Sequence, residues 1–124
     1  MPRVLVVDDN RPSRELIGDI LRPLGLEVAE AENGIAGLAA ARRLKPDLLI
    51  LDIAMPGMDG FGVLRELRRD PAFSRTPVIA VTANAAPGGR AQALAAGFHD
   101  FITKPLHSAD LRRRVEACLS GPNV

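Results

Sequence analysis

Three kinds of polar side chain stand at the ends of short apolar runs in this sequence. They are the acids Asp8, Asp9 and Asp52, the hydroxyl-bearing Thr82, and the basic Lys104. If the apolar runs are neighbouring parallel strands, their carboxyl ends meet at one edge of a sheet, where open α/β sheets place their ligands. The sequence therefore predicts one site at this edge, built from carboxylates, a hydroxyl group and a lysine.

The three predicted neighbouring carboxylates repel one another unless a cation lies between them. At an effective dielectric constant of about 20, two like unit charges about 4 Å apart cost about 4 kcal/mol. Asp8, Asp9 and Asp52 offer only oxygen atoms, and no His or Cys stands at these positions. Such ligands favour a hard ion, and Mg²⁺ that keeps several of its waters is the expected one.

A carboxylate beside a metal ion, a hydroxyl group and a lysine is suited to accepting a phosphoryl group. Asp52 would attack phosphorus in line and form an aspartyl phosphate. Mg²⁺ and Lys104 would neutralise the equatorial oxygens, and the Thr82 hydroxyl would donate to one of them. A single strand-end Asp is often only a helix cap, and a Lys-Pro pair is often only a turn. Their joint occurrence, in this order along the chain, favours phosphoryl chemistry.

These side chains need a sheet to hold them, and the apolar runs predict one. Residues 48–51 are four apolar residues that lead into Asp52, and Pro56 follows closely, so this run is predicted to be a strand buried on both faces. Residues 26–31 alternate apolar and polar side chains, as an edge strand does. The other predicted strands are residues 4–7, 77–81 and 99–103.

Helical segments alternate with these strands along the chain. Ile17 and Leu21, with neighbouring apolar residues, recur at helical spacing, and Asn10, Asn33 and Asp59 are suited to capping helices. Five strands alternating with five helices predict a parallel sheet with helices on both faces. We therefore expect residues 1–124 to form one domain, with no linker and no second domain.

Composition excludes several classes of protein. A net charge of +1 gives no general attraction to nucleic acid or to anionic membranes. The run of arginines at 112–114 is short and flanked by Asp110 and Glu116, so it is interpreted as a solvated helix face. The single Cys118 excludes an internal disulfide. With no signal peptide and no apolar run near the roughly 20 residues of a membrane span, we expect a cytoplasmic protein without nucleic-acid or membrane partners.

The sequence resembles the receiver domain of two-component response regulators, the family with the fold of the chemotaxis regulator. The resemblance covers nearly the whole chain in the family's order and spacing. Its matching pieces are residues 7–10 (Val-Asp-Asp-Asn), 51–60 (Leu-Asp-Ile-Ala-Met-Pro-Gly-Met-Asp-Gly), 81–83 (Val-Thr-Ala) and 97–105 (Gly-Phe-His-Asp-Phe-Ile-Thr-Lys-Pro).

The resemblance implies a fold and a set of site residues. The fold is a (βα)5 flavodoxin-like three-layer sandwich, α/β in class, whose five parallel strands have the order 2-1-3-4-5. Asp52 is the phosphoacceptor. Asp9, Asp52 and the backbone carbonyl of Ala54 bind Mg²⁺ directly, and Asp8 does so largely through water. Lys104 pairs with the phosphate, and the peptide bond that follows it, to Pro105, is usually cis.

The resemblance also implies how the domain switches and what it contacts. Thr82 and Phe101 form the switch pair: the hydroxyl moves toward the phosphoryl group and the aromatic ring turns inward. A sensor histidine kinase or a histidine phosphotransfer protein supplies the phosphoryl group. A downstream protein binds the face formed by helix 4, strand 5 and helix 5. The protein is then a stand-alone, non-enzymatic response regulator, or alternatively a relay receiver that shuttles phosphate.

Two positions depart from the common pattern of the family. Phe101 stands where Tyr is frequent, so no phenol hydroxyl is available to a partner. Ala54 and Asn84 occupy the two positions that typically tune the lifetime of the phosphoryl group, and both are uncharged. Neither offers a base that would orient an attacking water.

Three other functions fit parts of the sequence. A phosphohydrolase of the haloacid-dehalogenase type also uses a strand-end Asp, but it generally carries a second Asp two residues later, where this chain has Ala54. A flavodoxin-like nucleotide or FMN site needs a loop of Ser, Thr or Gly after the first strand, where Asp8 and Asp9 would repel phosphate. A pseudo-receiver that only scaffolds partners does not require the acids, Thr82 and Lys104, all of which are present.

Overall fold

The computed structural model describes residues 2–83 and 87–120, so Asn84 lies outside the described residues. Within them, five strands alternate with five α-helices. The order is β1 (Arg3–Val7), α1 (Arg11–Leu21), β2 (Glu27–Ala31), α2 (Gly34–Leu44), β3 (Leu48–Asp52), α3 (Gly60–Arg68), β4 (Val78–Thr82), α4 (Gly89–Ala96), β5 (Asp100–Thr103) and α5 (Ser108–Ser120). Short 3-10 helices follow α1, at Arg22–Leu24, and α3, at Pro71–Phe73.

The strands form one parallel sheet with the order β2-β1-β3-β4-β5. The central strand β3 is buried along all five of its residues, which explains its uninterrupted apolar sequence. Strand β2 lies at the edge, as its sequence predicted, and is less buried: Glu27 and Glu30 are exposed and only Ala31 is fully buried. This topology confirms the (βα)5 fold that the sequence indicated.

Each face of the sheet carries its own apolar core. On one face, β-strand residues such as Leu49 and Leu51 pack with Leu38 of α2, Leu64 of α3 and Ala93 of α4. On the other face, strand residues pack with the helix residues Ile17, Leu21, Leu111 and Val115. Helices α2, α3 and α4 therefore cover one side, and α1 and α5 cover the other.

Side-chain caps fix where three of the helices begin. The side-chain oxygens of Asn10, Asn33 and Asp59 accept the backbone N–H groups of the third residue after each of them, at 2.8–2.9 Å. Each such cap contributes about 1 kcal/mol. Helix α4 differs, because its N-cap is Gly88, which has no side chain to cap with and lies in the left-handed region with φ 78°.

At the edge strand β5, side chains bind both backbone hydrogen-bonding groups of Phe101. The N–H of Phe101 donates to the carboxylate of Asp100 at 2.8 Å, and the guanidinium of Arg90 donates to the Phe101 carbonyl at 3.3 Å. Arg114 of α5 holds the same Asp100 carboxylate at 2.6 Å. Ion pairs from two helices thus converge on this edge of the sheet.

None of the helices in the described part of the chain combines the length and the apolar character that crossing a membrane requires.

Candidate functional site

The carboxyl ends of β1 and β3 bring three acids together. Asp52 is the last residue of β3, and Asp8 and Asp9 follow directly after β1. One carboxylate oxygen from each of the three lies within 4.8 Å of those of the other two. Asp8 and Asp52 are only 1% and 5% exposed, whereas Asp9 is exposed. The cluster is therefore a cleft that opens to solvent on the side of Asp9.

Lys104 supplies a positive charge to this cleft from the loop after β5. Its Nζ donates to Asp8 Oδ2 at 2.9 Å and to Asp52 Oδ2 at 3.3 Å. The peptide bond between Lys104 and Pro105 is cis, as the sequence indicated. The lysine thus bridges the two buried acids of the cluster.

Backbone N–H groups hold the other oxygen of each buried acid. The N–H of Ala54 donates to Asp52 Oδ1 at 2.9 Å, and the N–H of Asn10 donates to Asp8 Oδ1 at 2.8 Å. Each carboxylate is therefore bound at both oxygens, once by the lysine and once by its own turn. This arrangement fixes the orientation of both groups.

The surroundings of Asp52 and Lys104 shift the pKa of both groups. Burial, assisted by the negative charge of Asp8, raises the pKa of Asp52 to about 6, although the Ala54 N–H and Lys104 oppose the shift. Burial alone would lower the pKa of Lys104, but its bonds to Asp8 and Asp52 outweigh this and raise that pKa above its usual value. The lysine is therefore charged at neutral pH, and Asp52 titrates at about pH 6.

Thr82 lies at the carboxyl end of β4, and Phe101 lies nearer the start of the neighbouring strand β5, opposite Ala80. Thr82 is the last residue of β4 and is 3% exposed. Phe101 of β5 is 7% exposed and belongs to the apolar core beneath α2, α3 and α4. A Cβ placed on Gly89 would lie 3.7 Å from the tip of its ring, so the ring packs under the first turn of α4. The ring thus lies inward.

A close contact sets the position of the loop that follows Asp52. The N–H of Gly60 donates to the carbonyl of Ile53 at 3.0 Å. A Cβ on Gly60 would lie 2.7 Å from Ile53 Cα and 2.8 Å from the Asp52 carbonyl oxygen. Only glycine allows α3 to begin this close to the loop that follows Asp52. Ala54, whose backbone carbonyl is a metal ligand according to the family resemblance, lies in the same loop and is exposed.

Arg14 is a residue of the site region that the sequence interpretation missed. Its guanidinium donates to the backbone carbonyl of Asp8 at 2.7 Å and to Glu30 of β2 at 3.3 Å. A signal was available, because Arg14 shares the helical face of Ile17 and Leu21 and is therefore a charged residue on the apolar stripe of α1.

The geometry supports a metal-binding acidic cleft. Three carboxylates converge, two of them are buried, and the donors are all oxygen, so the cluster can hold a divalent cation. The residues Asp8, Asp9, Asp52 and Lys104 that the sequence placed at one edge are brought together. Thr82 and Phe101 stand on the adjacent strands β4 and β5.

Comparison with known proteins decides the family. The family model for the response regulator receiver domain matches residues 4–116.

The chain belongs to the response regulator receiver family.

Similar proteins include both longer and equally long chains. The response regulator PleD of Caulobacter vibrioides is 43% identical over 115 residues, which are 93% of this chain but 25% of PleD. Protein PilH of Pseudomonas aeruginosa is 37% identical over 121 residues, 98% of this chain and 100% of PilH. The chain therefore spans about a quarter of the first relative and the whole of the second.

A solved receiver domain has the same fold. The receiver domain of the sensor histidine kinase PA1611 from Pseudomonas aeruginosa superposes with a TM-score of 0.88 and 34% identity, covering 97% of this chain and 98% of that one. That structure is described as having a magnesium ion coordinated in the active site cleft. The present chain is thus a receiver domain of two-component signalling, a class of signalling switches, with an acidic cluster at its candidate phosphorylation site.

Proposed function

We propose that this receiver domain accepts a phosphoryl group on Asp52, with Mg²⁺ bound in the acidic cleft, and thereby changes the surface it offers to a protein partner. One observation carries the proposal: the Asp52 carboxylate lies within the cluster of Asp8 and Asp9 and is contacted by Lys104. A carboxylate with neighbouring acids for a metal ion and with a lysine is equipped to receive a phosphoryl group.

The transfer step forms one bond and breaks another. A carboxylate oxygen of Asp52 attacks the phosphorus of a phosphohistidine, and the P–N bond breaks. The electron pair of that bond returns to the imidazole nitrogen, and the product on this chain is an aspartyl phosphate. Because the Ala54 N–H and Lys104 hold the Asp52 carboxylate at both oxygens, the attacking group is oriented before the donor arrives.

The acids of the cleft fit a hard divalent ion. Asp9 and Asp52, with the backbone carbonyl of Ala54, are proposed to bind Mg²⁺ directly, and Asp8 through water. The magnesium described in the cleft of the related PA1611 domain supports this choice of ion. When bound, Mg²⁺ supplies positive charge that offsets the charge of the phosphoryl oxygens.

Other side chains would act once the phosphoryl group is present. Lys104 already reaches the Asp52 carboxylate, so its ammonium group can neutralise a phosphoryl oxygen bound there. The Thr82 hydroxyl is proposed to donate to another phosphoryl oxygen. Phe101, buried beside α4, is the proposed partner of Thr82 in the switch.

The proposed partners are of two kinds. A sensor histidine kinase or a histidine phosphotransfer protein is the donor, and a downstream protein binds the face of α4, β5 and α5. A groove of about 390 Å³ on that face supports the second assignment; Gly89, Arg90, Phe101, Thr103 and Arg114 are among its lining residues. A relay receiver that passes its phosphate onward is the second candidate. The single-domain organisation and the cytoplasmic location stay predictions of the sequence.

Chemical labelling tests the proposal. With Mg²⁺ and acetyl phosphate, intact-mass measurement should find one added phosphoryl group on the wild type and none on Asp52→Asn. Asp47→Asn is the matched control, because Asp47 accepts the N–H of Arg3 at the far end of the sheet and should label like the wild type. Equal labelling of Asp52→Asn, or labelling that persists with excess chelator, would refute the assignment.

A further inference from the structure

Arg14 joins three parts of the fold next to the acidic cleft. It lies on α1, donates from Nη1 to the carbonyl of Asp8 at 2.7 Å and donates from Nε to the carboxylate of Glu30 on β2 at 3.3 Å. Only 13% of its side chain is exposed. A guanidinium that is nearly buried and bound at both ends has little freedom to move.

The contact with Arg14 completes the set of bonds that fixes Asp8. The Asp8 N–H donates to the Ala31 carbonyl at 3.1 Å, and its carboxylate accepts from the Asn10 N–H and from Lys104. Its carbonyl, bound by Arg14, is the remaining polar group. This carbonyl belongs to the peptide unit that leads into Asp9. Fixing it therefore fixes where the chain places the exposed acid of the cluster.

We propose that Arg14 is a positioning residue for the metal site: it holds the peptide unit between Asp8 and Asp9 so that the acids are gathered before the ion binds. The inference rests on the proposed Mg²⁺ site and adds a residue to it. Arg14 acts through the backbone of the ligand-bearing turn and does not itself touch the ion.

The partners of Arg14 suit this role electrostatically. It donates to the backbone carbonyl of Asp8 and to the carboxylate of Glu30, so all the carboxylate oxygens of the acidic cluster stay available to the ion or to Lys104. Glu30 balances its charge, which limits the repulsion that a second cation in the cleft would experience. Lys104, in contrast, occupies two of the cluster's oxygens directly.

Magnesium affinity of variants tests the proposal. Calorimetric titration of Arg14→Met, which keeps the aliphatic stem but removes the donors, should show about tenfold weaker binding than the wild type, as expected for a group that supports a metal ligand. Arg14→Lys, which keeps one donor for the carbonyl, should recover most of that loss.

Arg68→Met is the matched control. Arg68 also donates to backbone carbonyls, those of Phe73 and Thr76 at 2.6 and 3.0 Å, but it lies at the C-terminal end of α3, away from the acidic cleft. Its loss should lower stability and leave the Mg²⁺ affinity unchanged. Arg14→Met with wild-type affinity, or an equal loss in Arg68→Met, would show that Arg14 is a structural clamp only.

A measurement on the wild type keeps the proposal testable if the Arg14 variants do not fold. In the chelated protein, the Nε–H of Arg14 should already exchange slowly with solvent, and adding Mg²⁺ should change its rate little. Fast exchange that slows only with the ion would overturn the idea that the turn is arranged beforehand. Absence of any Mg²⁺ binding to the wild type would instead contradict the proposed metal site itself.

Discussion

The three acids of the cleft differ in their surroundings, and their expected roles differ accordingly. Asp8 is almost fully buried and bonded to Lys104 and to the Asn10 N–H. Asp52 is also buried, and its raised pKa of about 6 means that it gains or loses its proton slightly below neutral pH. Asp9 faces solvent. The interior thus holds two buried acids, of which Asp52 has a raised pKa, and the exposed Asp9 marks the side open to solvent.

The raised pKa of Asp52 makes a prediction about stability and pH. An exposed aspartate has a pKa of about 3.9, so the folded state binds this proton more tightly than the unfolded state does. The stabilisation is therefore complete at pH values below about 4 and is lost as the pH rises through about 6.

In chelator, the free energy of unfolding of the wild type should fall relative to that of Asp52→Asn across this window, by on the order of 3 kcal/mol. Urea unfolding at a series of pH values measures the difference. Parallel curves for the two proteins would contradict the shifted pKa.

Replacing Lys104 should have opposite effects on folding and on metal binding. Lys104→Met leaves Asp8 and Asp52 without their shared cation, so the metal-free protein should lose about 3 kcal/mol of stability. The same loss of positive charge should strengthen Mg²⁺ binding severalfold. Thermal unfolding with chelator and calorimetric titration measure the two effects.

A surface cation provides the comparison for Lys104. Arg69 pairs with Glu66 at 3.3 Å with a side chain that is 75% exposed, so Arg69→Met should change stability by less than about 0.5 kcal/mol. It should leave magnesium binding unchanged. Weaker binding in Lys104→Met would mean that the lysine helps to assemble the acids and does not compete with the ion.

The sequence predicted the chemistry of the site better than its internal contacts. Residue types and their order along the chain indicated Asp8, Asp9, Asp52 and Lys104, because parallel strands bring their carboxyl ends to one edge. The position of Arg14 on the apolar face of α1 is visible in the sequence, but its main partner is not, because that partner is the backbone carbonyl of Asp8. Which backbone group a side chain reaches depends on how the helix packs against the sheet.

At the scale of elements, the strands were easier to predict than the start of α4. Continuous apolar runs identified β1, β3 and β4, and alternation identified β2 as an edge. Helix α4 begins at Gly89, and its start is hard to predict because no capping side chain such as Asn10 or Asp59 precedes its first turn. Its only fully buried member is Ala93, so packing gives little signal either.

Replacing each of the two adjacent glycines at the start of α4 by alanine should change the free energy of unfolding in opposite directions. Gly88 has φ 78°, a region that side chains disfavour, and open space around its Cα. Gly88→Ala should therefore lower the free energy of unfolding by about 1 kcal/mol through backbone strain alone. Gly89 is helical, and an added Cβ would make an ordinary 3.7 Å contact with Phe101.

Gly89→Ala should accordingly raise the free energy of unfolding by about 0.5–1 kcal/mol, since alanine favours the helix. Urea denaturation of the two variants beside the wild type measures both signs. Changes of the same sign would mean that the first turn of α4 has a different backbone conformation from the one described here.

At the scale of the whole molecule, binding of the ion should be visible as stability. A ligand that binds only the folded state at 100 times its dissociation constant adds about 2.7 kcal/mol to the free energy of unfolding. Magnesium should therefore raise the melting temperature of the wild type. The rise should be smaller for Asp52→Asn, which lacks one of the three carboxylates. An unchanged melting curve at millimolar Mg²⁺ would argue against the metal site.

The ion pairs at β5 also affect how another molecule can bind this side of the protein. Asp100 and Arg90 take the two main-chain hydrogen-bonding positions of Phe101 that an additional strand would use. An extended peptide that added to the sheet at Phe101 would first have to displace both side chains. This makes side-chain contacts the easier means of recognition at this position.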